Sequence, residues 1–230
     1  GMLTRALIGM DISCSRCHDH PFEPLTTGDF YALAGIFTST ESKRFERDLV
    51  LPGGEKIRVL SVREGKVDNL KIHHRGDPKT LGDKVPRGFP GILAGPNQPV
   101  LNARQSGRLE LARWLTRDDH PLTARVIVNR IWQRHFGVGL VTDPDNFGVS
   151  AIDGPSNHRL LDWLALHLVD RRWSLKALHR TIVLSATYRQ SSSIAAAASV
   201  NPQTPTRNPQ SVDPMNHLLW RQNRRRLEAE

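Results

Sequence analysis

No stretch of this 230-residue chain contains eighteen consecutive apolar residues, so no segment reads as a membrane-spanning helix. The most apolar run, residues 160–169, is broken by Asp162 and His167. Cysteine is nearly absent: Cys14 and Cys17 are the only two, which leaves no second cysteine pair for a four-ligand structural zinc site. The chain lacks a GxSxG elbow, a P-loop and a GxGxxG string, so hydrolase, nucleotide-phosphate and dinucleotide signatures are missing. Lysine is also scarce, with seven among 32 basic residues.

An apolar fraction of 38% suits one ordinary core or two small ones. The net charge of +9 and the pI near 10.2 raise the question of nucleic acid. The arginines, however, are spread through every segment, with one cluster at Arg221, Arg224, Arg225 and Arg226. That distribution reads as solvated helix faces, and nucleic acid is not expected as a partner. The first residues lack the basic and small-residue features of a secretory signal. Both ends have helical composition without stop signals, so the chain is expected to be an internal piece of a longer protein whose targeting signal lies upstream.

The patterning predicts a mainly α protein with a small antiparallel β element (α+β) and a helical second half. Residues 3–13 and 28–37 read as helices, the second with Thr27 as N-cap and Phe30, Leu33, Ala34 and Phe37 on one face. Pro52-Gly53-Gly54 between Leu49-Val50-Leu51 and Ile57-Arg58-Val59-Leu60 signals a hairpin. Residues 76–105 are dense in Gly and Pro and read as an ordered loop or linker. Helices are then expected from Ser106, from Pro121 at N1 to Gly137, from Ser156 along Leu160, Leu161, Leu164 and Leu168, and from Ser174 along Leu175, Leu178, Ile182 and Ala186. Residues 190–211 read as a mobile loop, and Asp213-Pro214 as the start of a last helix. The divisions expected are 1–46 with the cysteine motif, 47–105 with the sheet and the Pro/Gly-rich connection, and 106–230 helical. The five tryptophans, Trp114, Trp132, Trp163, Trp173 and Trp220, are expected in the core.

One motif carries chemistry: Cys14-Ser15-Arg16-Cys17-His18. In c-type haem attachment two thiols add across the porphyrin vinyl groups and the following histidine ligates the iron, a geometry that fixes the CxxCH spacing. Haem c on Cys14, Cys17 and His18 is the first reading, and it would place the chain outside the cytoplasm. A short disulfide or redox dithiol, a zinc site using His18 or His20, and packing of free thiols are the alternatives. For the opposite haem face the candidates are His73, His74, Met10 or a residue of another chain; His20 follows His18 too closely to reach it. Asp143-Pro144-Asp145-Asn146-Phe147-Gly148 lacks the ligand alternation of a calcium loop and reads as a turn. No catalytic residue is singled out, and whether the chain is an enzyme is left open.

Longer strings carry a family resemblance. Cys14 to Pro24 followed by Asp29-Phe30-Tyr31-Ala32-Leu33 and Gly35-Ile36-Phe37 resembles the end of the planctomycete cytochrome-type domain DUF1549. Val85-Pro86-Arg87-Gly88-Phe89-Pro90, Pro121 to Gln133, Asp145-Asn146-Phe147-Gly148, Ala186 to Ser191 and Asp213-Pro214 resemble the start of its companion DUF1553. The resemblance implies a large exported protein, periplasmic or at the cell surface, with the rest of the longer chain and a redox protein as partners. It also draws attention to Asp19-His20-Pro21, where His20 is a candidate metal or catalytic residue, as an alternative zinc ligand or a support to His18. Arg125, Asn129, Arg130 and Gln133 form a polar stripe opposite Ile127, Val128 and Ile131, read either as a binding face or as the side that meets the first half.

Overall fold

The computed structural model describes residues 1–95, 98, 100–149, 151, 154–193 and 209–224, excluding the side chains of residues 42–49, 58–60 and 209. The chain is α+β, mainly helical, with two small antiparallel sheets and a helical second half. It divides into two compact units, Gly1 with Asp11–His120 and Met2–Met10 with Pro121–Glu230. The first helix, α1 (Met2–Ile8), therefore belongs to the second unit.

The first unit opens with a one-turn 3-10 helix, Ser13–Arg16, and α2 (Thr27–Thr38). Thr26, one residue earlier than expected, caps α2: its hydroxyl accepts from Asp29 N while the Asp29 carboxylate accepts from Thr26 N. This reciprocal box satisfies two otherwise orphan donors. The buried face is Tyr31, Ala32, Leu33, Gly35 and Ile36, whereas Phe37 is exposed. The Phe30–Phe37 stripe is thus rotated from its expected position, because Ile36 and Tyr31 take the innermost places.

β1 (Thr40–Val50) and β2 (Lys56–Glu64) form the hairpin, with Val50 opposite Lys56. Gly53 and Gly54 hold positive φ in its turn, as the Pro-Gly-Gly signal requires. β3 (Lys71–His73), a 3-10 turn His74–Gly76 and β4 (Leu81–Lys84) make the second sheet. After α3 (Gly91–Ala94), α4 (Arg108–Leu115) begins two residues beyond Ser106. Ser106 is completely buried, and its N–H and Oγ donate to the Glu64 carboxylate at 2.5 and 2.9 Å, joining the hairpin to α4. Phe89 stacks on Trp114, and Trp114 meets His120 edge-on.

In the second unit α1 stops at Ile8, short of the expected residue 13. Gly9 takes φ +61°, and a Cβ there would lie 2.6 Å from the Phe147 ring, so the left-handed turn and the close approach both require glycine. α5 (Thr123–Phe136) starts two residues after Pro121 and ends at Gly137 as expected. α6 (His158–Asp170) is capped by Asn157 rather than Ser156, and α7 (Leu175–Val183) by Ser174. Their apolar faces enclose a core of Val128, Trp132, Phe136, Leu140, Val141, Leu161, Leu164, Leu168, Leu178 and Ile182.

Two expectations fail here. Asp213-Pro214 starts no helix among the described residues. Instead α8 (Pro209–Val212) precedes it, and the Asp213 carboxylate accepts from His217 N and Leu218 N, closing a turn in which Trp220 Nε1 donates to the Asp213 carbonyl. Trp163, 54% exposed, lies outside the core and stacks on His167. Trp114 and Trp132 are buried, and Trp173 packs at the margin of the second core. Of the expected loop 190–211, residues 194–208 lie outside the described residues, as do 225–230 of the C-terminal arginine segment.

Candidate functional site

The CxxCH segment occupies the 3-10 turn and its exit. Ser15 N and Cys17 N donate to the carbonyls of Ile12 and Cys14, which sets both thiols on one turn. Cys14, Cys17 and His18 are exposed, and both cysteines are free. The turn is anchored from behind by two bonds: Ser15, fully buried, donates from Oγ to Leu25 O, and the buried Tyr31 hydroxyl donates to Arg16 O at 3.2 Å.

His18 and His20 differ in what their nitrogens do. His18 Nδ1 lies 2.7 Å from the Asp19 carbonyl oxygen, which can only accept, so Nδ1 carries the proton and the Nε2 lone pair is left for a ligand. A histidine that binds a metal characteristically donates its other N–H to such an oxygen. His20 Nδ1, by contrast, accepts from Glu23 N at 2.9 Å and from Phe22 N at 3.3 Å. Its neutral ring then carries the proton on Nε2 and has no lone pair to offer. Asp19 accepts from Thr27 N at 2.7 Å, and His20 N donates to Leu25 O. The Asp19-His20-Pro21 string is therefore the staple that shapes the loop from the CxxCH turn into α2.

The second sheet brings a further segment to the thiols. Gly76, at φ +78°, sits so close to Cys17 that a Cβ would lie 2.5 Å from Sγ. His73, three residues earlier, packs its ring 5.2 Å from that of Tyr31. Among the candidates for the opposite haem face, the segment holding His73 and His74 is thus brought to Cys17, and Met10 is buried. Tyr31 and Gly76 were not singled out from sequence as site residues. A lone Tyr on a helix and a Gly in a Gly-rich stretch carry no signal until the sheet closes on the turn.

Of the polar stripe on α5, Asn129 is turned inward, and Arg125, Arg130 and Gln133 are half-buried. Asn129 is completely buried, donating from Nδ2 to Val141 O at 2.9 Å and accepting from Val141 N at 2.8 Å. Arg125 pairs with Asp162 at 2.6 Å and donates to Pro121 O. Arg130 pairs with Asp145 at 2.7 Å and donates to Arg5 O. Arg130 thus meets the N-terminal segment, as the second reading of the stripe has it, while Asn129 and Arg125 bind within the helical half. Asp143 to Gly148 forms the expected Asx-type turns, with Asp145 N on Asp143 Oδ1 and Gly148 N on Asn146 Oδ1. Among the described residues no group of three or more His, Cys, Asp or Glu is placed to hold a metal ion, and no helix is long and apolar enough to cross a membrane.

Fold and site thus define an α+β protein with an exposed CxxCH turn in its first unit and a helical second unit. A family model described as a protein of unknown function (DUF1553, PSD1) matches residues 107–230, and another described as a protein of unknown function (DUF1549, PSCyt2) matches residues 2–42. The first spans more than half of the chain, which belongs to the DUF1553 family, with the DUF1549 match ahead of it in the expected order. No curated protein and no solved structure matches it.

Proposed function

We propose that this chain is the haem c-bearing part of a larger extracytoplasmic protein, acting in electron transfer or as the redox part of an oxidative enzyme. The observation that carries this reading is the state of His18: its Nδ1 is bonded to the Asp19 carbonyl, which leaves the lone pair on Nε2 in a residue that directly follows two exposed, unlinked thiols. The donor set fits the group. Cys14 and Cys17 would hold the porphyrin by thioethers and His18 Nε2 would take the iron, which supplies a one-electron couple when bound. Asp19 O keeps the imidazole in the right tautomer, Tyr31 and Ser15 keep the turn in place, and the exposed face leaves room for a redox partner. A zinc staple is less well supported, since four ligands are wanted and no third suitable side chain joins the thiols among the described residues.

The test is export of the chain in a host with cytochrome c maturation. The expected result is a haem-stained band that survives denaturing electrophoresis, disappears in the Cys14→Ser/Cys17→Ser double variant, and in His18→Ala persists with altered iron ligation in its visible spectrum. Stoichiometric zinc without a Soret band, or a Cys14–Cys17 disulfide in the exported chain, would overturn the proposal in favour of a scaffold stapled at CxxCH.

A further inference from the structure

Within the second unit, α5 and α7 bring two histidines to one spot that the CxxCH reading does not use. His135 Nε2 lies 3.2 Å from His179 Nδ1, and the ring centres are 4.9 Å apart with planes at 47°. His135 Nδ1 donates to Ile131 O at 2.8 Å, which puts its proton there and turns the Nε2 lone pair toward His179. We propose that His135 and His179 form a two-imidazole site for a divalent first-row transition ion of the zinc class.

The geometry argues this better than a plain hydrogen bond does. A straight N–H···N bond of this length would hold the ring centres about 5.5 Å apart; at 4.9 Å the rings are inclined to the N···N line, a separation that two imidazoles sharing one ion would also have. Two nitrogens 3.2 Å apart, each at the Zn–N distance of about 2.1 Å, subtend about 100° at the ion, close to tetrahedral. Binding would need only a tautomer change: the His179 Nδ1 proton is released to solvent and Nε2 takes one up, so charge and proton count are unchanged. The support is rigid. Ile131 O fixes the His135 ring, the Tyr188 ring packs against that ring edge-on, and the neighbouring Phe136, Leu178 and Ile182 belong to the buried core. Because no third His, Cys, Asp or Glu completes the set among the described residues, water would fill the remaining positions and leave them open to exchange.

The test is calorimetric titration of zinc chloride into Cys14→Ser/Cys17→Ser protein, in which the thiols cannot answer. One ion per chain is expected, with binding weakened by about tenfold or more in His179→Gln and in His135→Gln. Copper(II) should show an electron paramagnetic resonance spectrum with two-nitrogen coupling that falls to one in either variant. His179 is exposed, so His179→Gln should melt like its parent and serve if His135→Gln misfolds. Absence of zinc binding in the thiol-free protein, or equal binding by folded His179→Gln, would overturn the site, and neither result bears on haem at Cys14 and Cys17.

Discussion

His20 accepts two backbone N–H groups through Nδ1 in a loop whose Glu23 is buried. Replacing it with alanine is expected to lower stability by about 1–2 kcal/mol. His20→Asn should recover most of the loss, because the amide Oδ1 can accept where Nδ1 did; denaturant titration of the three proteins decides this, and equal loss in both variants would point to another role for the ring. The difference from His18, two residues away and exposed, could not be read from the motif, since identical side chains differ only in which partner each nitrogen meets. Tryptophan shows the same limit: Trp132 is in the core, while Trp163, also beside a leucine stripe, stands on the outer side of α6. The residue type was legible and the direction of the side chain was not.

At the scale of elements, caps and breakers did most of the predicting. Thr26 and Asp29 close a capping box on α2, and Thr26→Ala should cost about 1 kcal/mol, measurable as a shift of the denaturation midpoint. Asn129 does heavier work. Its carboxamide holds both backbone groups of Val141, and Gly139 is pressed so close that a Cβ would meet Val141 O at 2.4 Å. Asn129→Ala leaves a buried donor and acceptor unmatched and is expected to lose about 2–4 kcal/mol, whereas Gln133→Ala on the same helix should change little. A stability curve in which the two are alike would contradict this. The polar stripe was visible as spacing, but a polar residue that binds a buried strand-like segment has the same periodicity as one that faces water.

Across the whole molecule, family segments and compact units do not coincide. Residues 2–10, most of them helix α1, fall in the DUF1549 match yet join the second unit, where Arg130 donates to Arg5 O and Phe147 N to Gly9 O. Residues 107–120, with α4, fall in the DUF1553 match yet join the first. Separate pieces 1–106 and 107–230 should each therefore unfold more readily than the intact chain, and mixing them should restore cooperative melting by circular dichroism; independent melting of both at the parent temperature would refute this. Acid should weaken the first unit. Burial, with the Arg117 charge added, pushes His120 down from 6.5 to about 4, against a smaller pull from Asp119. A neutral buried histidine is fully stabilising above its unfolded value, so stability should fall as pH drops from about 6.5 to 4, by about 3 kcal/mol in all. Glu64 adds a lower limb. Burial raises its pKa, but the bonds from Arg108 and Ser106 outweigh that and hold it below 4.5, so its contribution is present above 4.5 and is lost as pH falls through the folded value. His120→Gln should flatten the upper limb of a pH series of urea melts and leave the lower one.

The α+β class, the order of helices and hairpin, the two family segments and the single CxxCH string were all legible in the residues alone, because periodicity, caps, breakers and motif spacing are local properties written in neighbouring residues. The tertiary structure alone decided that Tyr31 and Gly76 back the cysteine turn, that His20 staples a loop while His18 offers Nε2, that Asn129 points inward, and that His135 meets His179. Each of these depends on which faces of separate elements are driven together when their apolar sides are buried, and residues far apart in sequence carry no record of that until packing brings them into contact.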